Sequence, residues 1–185
     1  MASVLIPLAE GFEELEAVAV IDILRRGGVG VVVAGLKAGP VKGSRDTVIV
    51  PDTTLDQAMD QAFDMLVLPG GIPGVTHLRE DPRIKTLLER FREKSRYTAA
   101  ICAAPSILAA YGYLEGKQVT SNPKFKDQVA VKGVSYREDT VVVDGSLVTS
   151  RGAGTAVPFA LQLVETLCGA SKRVEVEAGL VLPAA

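Results

Sequence analysis

The sequence predicts an α/β fold with a mostly parallel central sheet and helices on both of its faces. Short apolar runs rich in Val, Ile and Leu recur along the chain. Longer amphipathic segments separate these runs, and this alternation is typical of βαβ units whose strands are buried on both sides. A chain of 185 residues, 48% of them hydrophobic, can form one core. We therefore expect residues 1–185 to form a single domain.

The first part of the chain alternates strands and helices in the order that βαβ units require. A strand is expected where an apolar run lies between turn residues, and a helix where apolar residues recur with a period of about 3.6. Gly27-Gly28 ends the first helix, and Pro69-Gly70-Gly71 ends the third strand. In order, the predicted elements are a strand at residues 4–8, a helix at 13–26, a strand at 29–34, a hairpin within 40–51, a short helix at 55–62 and a strand at 65–68.

The second part continues the alternation, and proline marks the start of its first helices. Pro82 and Pro105 each lie in the first turn of a predicted helix, where a missing amide hydrogen is tolerated. Asp144-Gly145 is a turn between two short strands. In order, the predicted elements are a charged helix at 82–94, a strand at 97–101, a helix at 105–111, strands near Val119 and Val134, strands at 141–143 and 147–150, a helix that ends near Cys168, and a short helical or irregular tail.

Composition and charge exclude several classes of function. The formal net charge is −2, whereas nucleic-acid binding requires a basic face, so no dedicated nucleic-acid surface is expected. Two Cys residues and one His residue make neither a disulfide framework nor a zinc site, so no metal is expected. The apolar runs are shorter than the roughly 20 residues of a membrane span, and no leader-like segment opens the chain. We therefore expect a cytoplasmic protein with reduced thiols and no membrane contact.

Cys102 is the leading candidate for a nucleophile. It lies where the strand at 97–101 ends and Pro105 begins a helix, and ligands of parallel sheets collect at the carboxyl ends of the strands. The amino terminus of that helix would face the sulfur and favour the thiolate. The alternative is that Cys102 is a small buried apolar residue. Cys168, which precedes Gly169 at the end of an apolar helical pattern, is predicted to be a structural core residue.

Glu16 is the second candidate, because its helical position places it among apolar residues. On the first helix it shares a stripe with Val20 and Ile23. Burial would raise the pKa of this carboxyl, so that it could donate a hydrogen bond to a thiolate or act as a general acid or base. The alternative is a helix that is turned so that Glu16 reaches solvent.

Turns at the ends of the strands offer backbone amides. Gly70 and Gly71 have no side chains to block their N–H groups, which could hold the oxyanion of an acyl-like or hemithioacetal intermediate. The alternative is that Pro-Gly-Gly only ends the strand. The segment Gly152-Ala153-Gly154 lacks the third glycine and the lysine of nucleotide-binding loops, so no nucleotide cofactor is expected. His77, the only histidine, is predicted to be a loop or cap residue.

Four features of the chain occur in one order and at compatible spacing. They are Glu16 on the first helix, Leu68-Pro69-Gly70-Gly71, the segment 99–105 around Cys102, and the segment 149–155. The combination resembles the DJ-1/ThiJ/PfpI superfamily, in the branch of the Parkinson-associated protein. The resemblance implies a flavodoxin-like three-layer sandwich and a homodimer. It also implies a reactive Cys102 in an elbow beside the protonated carboxyl of Glu16, with the amides of Gly71 and Ala103 around the site.

The same resemblance implies a cysteine-dependent glyoxalase or deglycase that needs no cofactor. Its substrates would be methylglyoxal, glyoxal or their early glycation adducts on proteins and nucleotides, and its products 2-hydroxy acids. Arg45 and Asn122 are the predicted substrate-positioning residues. Because the protease-like branch carries a histidine where this chain has Ala103, a Cys-His peptidase mechanism is not expected.

Asn122 opens an alternative to the enzyme hypothesis. Related proteins commonly have a histidine in the segment that matches residues 119–123. An amide can position a carbonyl group but cannot transfer protons near neutral pH. The alternative is an oxidative-stress sensor or redox chaperone in which Cys102 is oxidised to a sulfinic acid and turnover is low. A further alternative is a binding module that retains the pocket without turnover.

Overall fold

A seven-stranded sheet forms the centre of the computed structural model, which describes residues 1–182. The strands of the described chain are β1 (Ser3–Leu8), β2 (Gly30–Gly35), β3 (Val41–Lys42), β4 (Val48–Ile49), β5 (Thr53–Thr54), β6 (Met65–Leu68), β7 (Tyr97–Ile101), β8 (Gln118–Val119), β9 (Ser135–Tyr136), β10 (Val141–Asp144) and β11 (Leu147–Ser150). The order in the central sheet is β10-β11-β7-β6-β1-β2-β5. Its strand pairs are parallel except for β10 with β11. The predicted mostly parallel sheet is confirmed.

Helices cover both faces of this sheet. They are α1 (Glu14–Arg26), α2 (Leu55–Ala58), α3 (Gly74–Glu80), α4 (Pro82–Glu93), α5 (Pro105–Ala110), α6 (Lys126–Val129), α7 (Ala156–Cys168) and α8 (Ala170–Leu180), with 3₁₀ turns at Pro123–Phe125 and Ala153–Thr155. Helices α1, α7 and α8 pack in the core on one face, and α2 to α6 pack in the core on the other. The architecture is therefore the expected flavodoxin-like three-layer sandwich.

The alternation of side chains along the strands explains why both faces are apolar. In β1, Val4 and Ile6 pack in the core with α1 and α7, whereas Leu5 packs in the opposite core with α4. All three side chains are fully buried. A strand that must be apolar on both faces appears in the sequence as a continuous apolar run, which is why these strands could be predicted.

Several elements differ from the prediction. His77 lies in helix α3 and not in a loop. Only Val75 and Leu78 supply the buried apolar face of this helix, which follows Pro73 and begins at Gly74. The helix predicted at 55–62 ends at Ala58. The sequence pattern does not predict the short β5, the short α6 or either 3₁₀ turn, since each is too short for a periodic pattern. The tail, for which a helical or an irregular structure is expected, contains helix α8.

The prediction for Cys168 is wrong. The residue ends α7 and its side chain is exposed. Its position after an apolar run suggests a core residue, but Cys168 is the last residue of α7, and the packed face of this helix ends at Leu167. The chain therefore has one exposed and one half-buried thiol.

The described residues contain neither a membrane-spanning helix nor a metal-binding cluster. Within residues 1–182, no helix combines the length and the apolar character that crossing a bilayer requires. The same part of the chain contains no group of three His, Cys, Asp or Glu side chains arranged to hold a metal ion.

Candidate active site

Cys102 lies in a strained turn at the carboxyl end of β7. Its φ angle is +65°, in the left-handed region that a residue with a side chain rarely adopts. Such strain costs on the order of 1–3 kcal/mol and persists only where neighbouring interactions impose it. Here the amide of Cys102 donates to the carbonyl of Ser150 at 3.0 Å, and the amide of Asn122 donates to the carbonyl of Cys102 at 2.9 Å. The turn presents a half-buried thiol at the carboxyl end of β7, the position that the sequence predicts for it.

Glu16 reaches this thiol from the first turn of α1. The side chain of Glu13 begins the helix by accepting a hydrogen bond from the Glu16 amide at 2.8 Å. The Glu16 carboxyl is fully buried, so the predicted burial is confirmed and the solvent-facing alternative is wrong. Its Oε2 accepts a hydrogen bond from the Gly70 amide at 2.9 Å. Its Oε1 has no hydrogen-bond partner among residues 1–182.

The surroundings of Glu16 favour its protonated form. The pKa of this carboxyl is raised from 4.5 to about 7, mainly by burial and to a smaller extent by the charge of Glu13. The Cys102 thiol and the Gly70 amide lower the pKa of Glu16, but they do not offset burial. A carboxyl with a pKa near neutrality exchanges protons readily in both directions, which suits a general acid or base.

The thiol of Cys102 is not the low-pKa thiolate that the helix position suggests. Burial raises its pKa to about 12, and the neighbouring Glu16 carboxylate contributes to the increase. The Ala103 amide and the Asn122 side chain lower the pKa of Cys102 by less. Helix α5 has only six residues, so its dipole is short, and desolvation outweighs it. Cys102 therefore needs a base when it attacks, and Glu16 is in place to serve.

Asn122 directs its amide hydrogen atoms at the sulfur. Its Nδ2 lies 3.7 Å from the Sγ of Cys102. Its Oδ1 accepts a hydrogen bond from the Lys124 amide at 3.0 Å and so caps the 3₁₀ turn that follows. Because the oxygen accepts the hydrogen bond from Lys124, the nitrogen is the atom that faces Cys102. Asn122 thus acts as a donor towards the sulfur or towards an atom bound to it.

The three predicted oxyanion donors differ in what their amides do. The Gly70 amide is occupied by Glu16 and is not free for a substrate. The Ala103 amide interacts with the Cys102 sulfur and lowers its pKa. Within residues 1–182, the Gly71 amide has no hydrogen-bond acceptor, and its φ of +95° explains the glycine. Gly71 and Ala103 therefore remain the candidate donors.

Arg45 is not brought to the sulfur. It is exposed, and its guanidinium donates to the carbonyl of Ser44 at 3.0 Å. Its amide donates to the Glu14 carboxylate at 2.6 Å, and the hydroxyl of Ser44 donates to the same carboxylate at 3.1 Å. Burial would raise the pKa of Glu14, but these hydrogen bonds hold it below its ordinary value. Glu14 therefore ties the predicted hairpin to α1, a role that no local sequence signal indicates.

His77 lies outside the Cys102 site. It is in α3, and its Nδ1 donates to the carbonyl of Glu10 at 3.0 Å. It lines a cavity of about 610 Å³ together with Leu36 and Asp81, and neither Cys102 nor Glu16 is among the lining residues. The only histidine is therefore not available to the thiol as a proton carrier.

Comparison with known proteins gives a consistent result over nearly the whole chain. The family model described as "DJ-1/PfpI family" matches residues 2–166. The chain is 47% identical over 182 residues to "Protein dj-1beta" of Drosophila melanogaster, covering 97% of both chains. It is 40% identical over 171 residues to "Glutathione-independent glyoxalase DJR-1.2" of Caenorhabditis elegans, covering 92% of this chain and 90% of that protein.

Solved structures agree with the sequence comparisons. The crystal structure of Drosophila melanogaster DJ-1beta superposes with a TM-score of 0.94 at 46% identity, over 99% of each chain. The structure described as "Toxoplasma gondii DJ-1, oxidized" superposes with a TM-score of 0.95 at 33% identity, over 100% of each chain. The architecture and the sequence thus lead to the same group of proteins.

Proposed function

The chain belongs to the DJ-1/PfpI family, and from this premise we propose that it is a glyoxalase that requires no cofactor. In this proposal Cys102 is the nucleophile, Glu16 is the general base, and the substrate is a small 2-oxoaldehyde such as methylglyoxal. The observation that carries the proposal is the buried Glu16 carboxyl with its unpaired Oε1 beside the thiol. The glyoxalase name of a relative that is 40% identical supports the same reaction class.

The first step joins the sulfur to the aldehyde carbon. The Glu16 carboxylate accepts the thiol proton while Sγ attacks the aldehyde, and the π electrons of the carbonyl move to its oxygen. The protonated Glu16 then returns the proton to this oxygen, which gives a hemithioacetal. Asn122, Gly71 and Ala103 supply N–H donors for the negative charge on the oxygen.

The second step moves one hydrogen between neighbouring carbons. Glu16 removes the proton from the carbon bonded to sulfur, and the electron pair forms an enediolate with the adjacent carbonyl. Glu16 then returns this proton to the adjacent carbon. The hydroxyl proton of the sulfur-bearing carbon moves to the neighbouring oxygen, which gives a thioester of the 2-hydroxy acid. Water then cleaves the thioester, releases the acid and restores the thiol. One carbon is oxidised and its neighbour is reduced, so the reaction needs no external oxidant or reductant.

Deglycase activity would use the same groups. An early glycation adduct on an amine or a nucleobase is a hemiaminal, which releases or presents the same electrophilic carbon. The half-buried position of Cys102 at the sheet edge supports access by small adducts. We propose 2-oxoaldehydes as the primary substrates and glycated groups as an extension of the same chemistry.

The proposed assembly is a homodimer in the cytoplasm. Two apolar side chains of α1, Leu15 and Val18, are 64% and 46% exposed. A second copy of the chain would remove them from water, which favours association. Light scattering of the purified protein tests this, and a monomer mass at high concentration would contradict it.

The enzyme proposal is tested by supplying purified protein with methylglyoxal and measuring lactate. We expect lactate without added glutathione or metal, and loss of its formation in Cys102→Ala and in Glu16→Gln. Cys168→Ala is the matched control, because it removes the exposed thiol and should keep full activity. Absence of lactate with the native protein, or undiminished lactate in Cys102→Ala, would refute the proposal.

A redox sensor or chaperone is the second candidate, and the donors around the sulfur favour it. The Asn122 nitrogen and a protonated Glu16 would both stabilise the oxygen atoms of a sulfinic acid on Cys102. Formation of this acid consumes two molecules of peroxide and releases two of water. The test is peptide mapping after mild peroxide treatment. Sulfinic acid at Cys102 and its loss in Glu16→Gln would support the sensor, whereas equal oxidation of Cys102 and Cys168 would contradict it.

A further inference from the structure

Gly152 lies where the three functional side chains converge. It follows β11 and is buried. A Cβ atom added to it would lie 3.4 Å from the Nδ2 of Asn122, 3.8 Å from the Sγ of Cys102 and 3.9 Å from the Oε1 of Glu16. The space over the Gly152 Cα therefore faces the nucleophile, the amide donor and the unpaired carboxyl oxygen at once.

The fold does not require glycine at this position. The φ and ψ angles of Gly152 are 160° and −167°, which is extended backbone. Its amide donates to the Oγ1 of Thr155 at 3.0 Å, and its carbonyl accepts from the Thr155 amide at 2.8 Å. Neither bond involves a side chain at 152. A methyl group added here would make only ordinary van der Waals contacts with its neighbours.

Gly70 provides the contrast within the same site. A Cβ atom there would lie 2.4 Å from the Oε2 of Glu16 and 2.7 Å from the Cβ of Cys102. These separations are too short for any side chain, so packing alone requires glycine at position 70. At position 152 the missing side chain instead leaves room for one further atom, in contact with Asn122, Cys102 and Glu16.

The groups that face this space select the ligand atom. Towards this space the Asn122 side chain can only donate a hydrogen bond, because its oxygen already accepts one from the Lys124 amide. The Glu16 Oε1 donates as well once the carboxylate has taken the proton of the attacking thiol. Two donors that face one small space favour a ligand oxygen atom that accepts hydrogen bonds. The sulfur of Cys102 must then reach either the carbon bonded to this oxygen or the neighbouring carbon.

We propose that Gly152 is a specificity-determining residue, whose open Cα face holds an oxygen atom of the electrophile between Asn122 and Glu16 while Cys102 attacks. This inference rests on the proposed function and deepens it. The site then accepts small compounds with an oxygen on the attacked carbon or on its neighbour, as 2-oxoaldehydes have. A methyl group at position 152 would occupy the place of that oxygen.

The test compares Gly152→Ala with Gly154→Ala. Gly154 is in the same loop, and an added Cβ there would meet no atom within 4 Å. The probe is iodoacetamide, whose carbonyl lies next to the carbon that the sulfur attacks. Labelling of Cys102 is measured by mass spectrometry relative to the exposed Cys168 of the same molecule. We expect Cys102 labelling to fall at least about tenfold in Gly152→Ala and to stay unchanged in Gly154→Ala.

A second probe isolates the role of the oxygen atom. Methyl iodide alkylates the same sulfur but has no oxygen, so its rate at Cys102 should fall much less in Gly152→Ala. An equal decrease for both reagents would refute the oxygen-holding role, and equal iodoacetamide labelling of the variant and the native protein would overturn the inference. A Gly152→Ala protein that does not fold, judged by circular dichroism, would overturn it too.

The experiments distinguish failure of the proposed role of Gly152 from failure of the proposed glyoxalase activity. If the native protein does not convert methylglyoxal but shows the predicted labelling pattern, the glyoxalase proposal fails and the role of Gly152 stands. If the native protein and Gly152→Ala convert methylglyoxal equally and label equally, the reaction stands and the role of Gly152 fails.

Discussion

The side-chain nitrogen of Asn122 lies 3.7 Å from the sulfur of Cys102, and the oxygen of the same amide is held by the Lys124 amide at 3.0 Å. The hydrogen bond from the Lys124 amide thus orients the Asn122 side chain so that its nitrogen faces the sulfur. The amide can stabilise negative charge on the sulfur, and it lowers the pKa of Cys102. It cannot carry a proton, so proton transfer at this site is left to Glu16.

Replacing Asn122 by Asp should make Cys102 less reactive. An aspartate oxygen can still cap the turn at Lys124, but the donor that faces the sulfur becomes an acceptor with negative charge. The pKa of Cys102 should therefore rise above that of the native protein. The measurement is the pH dependence of iodoacetamide labelling at Cys102, with Cys168 as the internal reference. An unchanged or lower midpoint would show that the Asn122 amide does not act on the sulfur.

Replacing Asn122 by His should raise turnover of methylglyoxal. An imidazole titrates near neutral pH and adds a second group that can move protons at the sulfur. We expect an increase in kcat of about tenfold, a modest part of what general acid–base catalysis contributes. The double variant Asn122→His with Cys102→Ala is the control and should be inactive. No gain in kcat would favour a sensing or binding role over catalysis.

Glu16→Gln should change how stability depends on pH. The pKa of the carboxyl is about 7 in the folded protein and 4.5 without its surroundings. Between these values the unfolded chain has lost the proton and the folded protein has kept it, so stability falls as pH rises. Above about pH 7 the ionised Glu16 costs on the order of 3 kcal/mol. A glutamine amide at this position does not titrate, so the variant should gain stability relative to the native protein as pH rises.

Urea unfolding of both proteins at about pH 5 and about pH 8 measures this difference. Glu10→Gln is the control for the loss of one carboxyl group, because Glu10 is exposed. A stability difference between Glu16→Gln and the native protein that is the same at both pH values would contradict the raised pKa.

Gly70→Ala should destabilise the fold, in contrast to the substitution at position 152. The added Cβ would lie 2.4 Å from the Oε2 of Glu16, so the carboxyl would have to move and lose the Gly70 amide. Overpacking of this kind costs about 1–3 kcal/mol. Thermal unfolding measures the loss, and Gly154→Ala serves as the control for an added methyl without contacts. An unfolding midpoint equal to that of the control would contradict the tight packing at Gly70.

The fold and part of the site could be predicted from local sequence. Buried parallel strands are continuous apolar runs, and the burial of Glu16 follows from its place in the helical stripe. Cys102 and Gly70 lie at strand ends, which a single sequence reveals. The roles of Glu14 and Gly152 could not be predicted, because their partners are distant in the chain and meet only in the folded structure.

The pKa of Cys102 could likewise not be predicted from the local sequence. The sequence correctly predicts the helix after Cys102, and the dipole of this helix alone would lower the pKa of the thiol. The predicted direction is nevertheless wrong, because burial and the Glu16 carboxylate raise the pKa to about 12. Both of these contributions depend on packing between elements that are far apart in sequence, and no local pattern reports their size.

The pH profile of turnover tests which residue carries the proton. If Glu16 is the base, kcat/KM for methylglyoxal should rise with pH through a midpoint of about 7, since only the carboxylate can accept the thiol proton. Glu16→Asp should retain a rise with pH at reduced kcat, because it keeps a carboxylate on a shorter side chain. Glu16→Gln should have neither the rise nor the activity. A rise that is centred instead on the ordinary thiol pKa of about 8.5, and that persists in Glu16→Gln, would mean that Cys102 ionises without the help of Glu16.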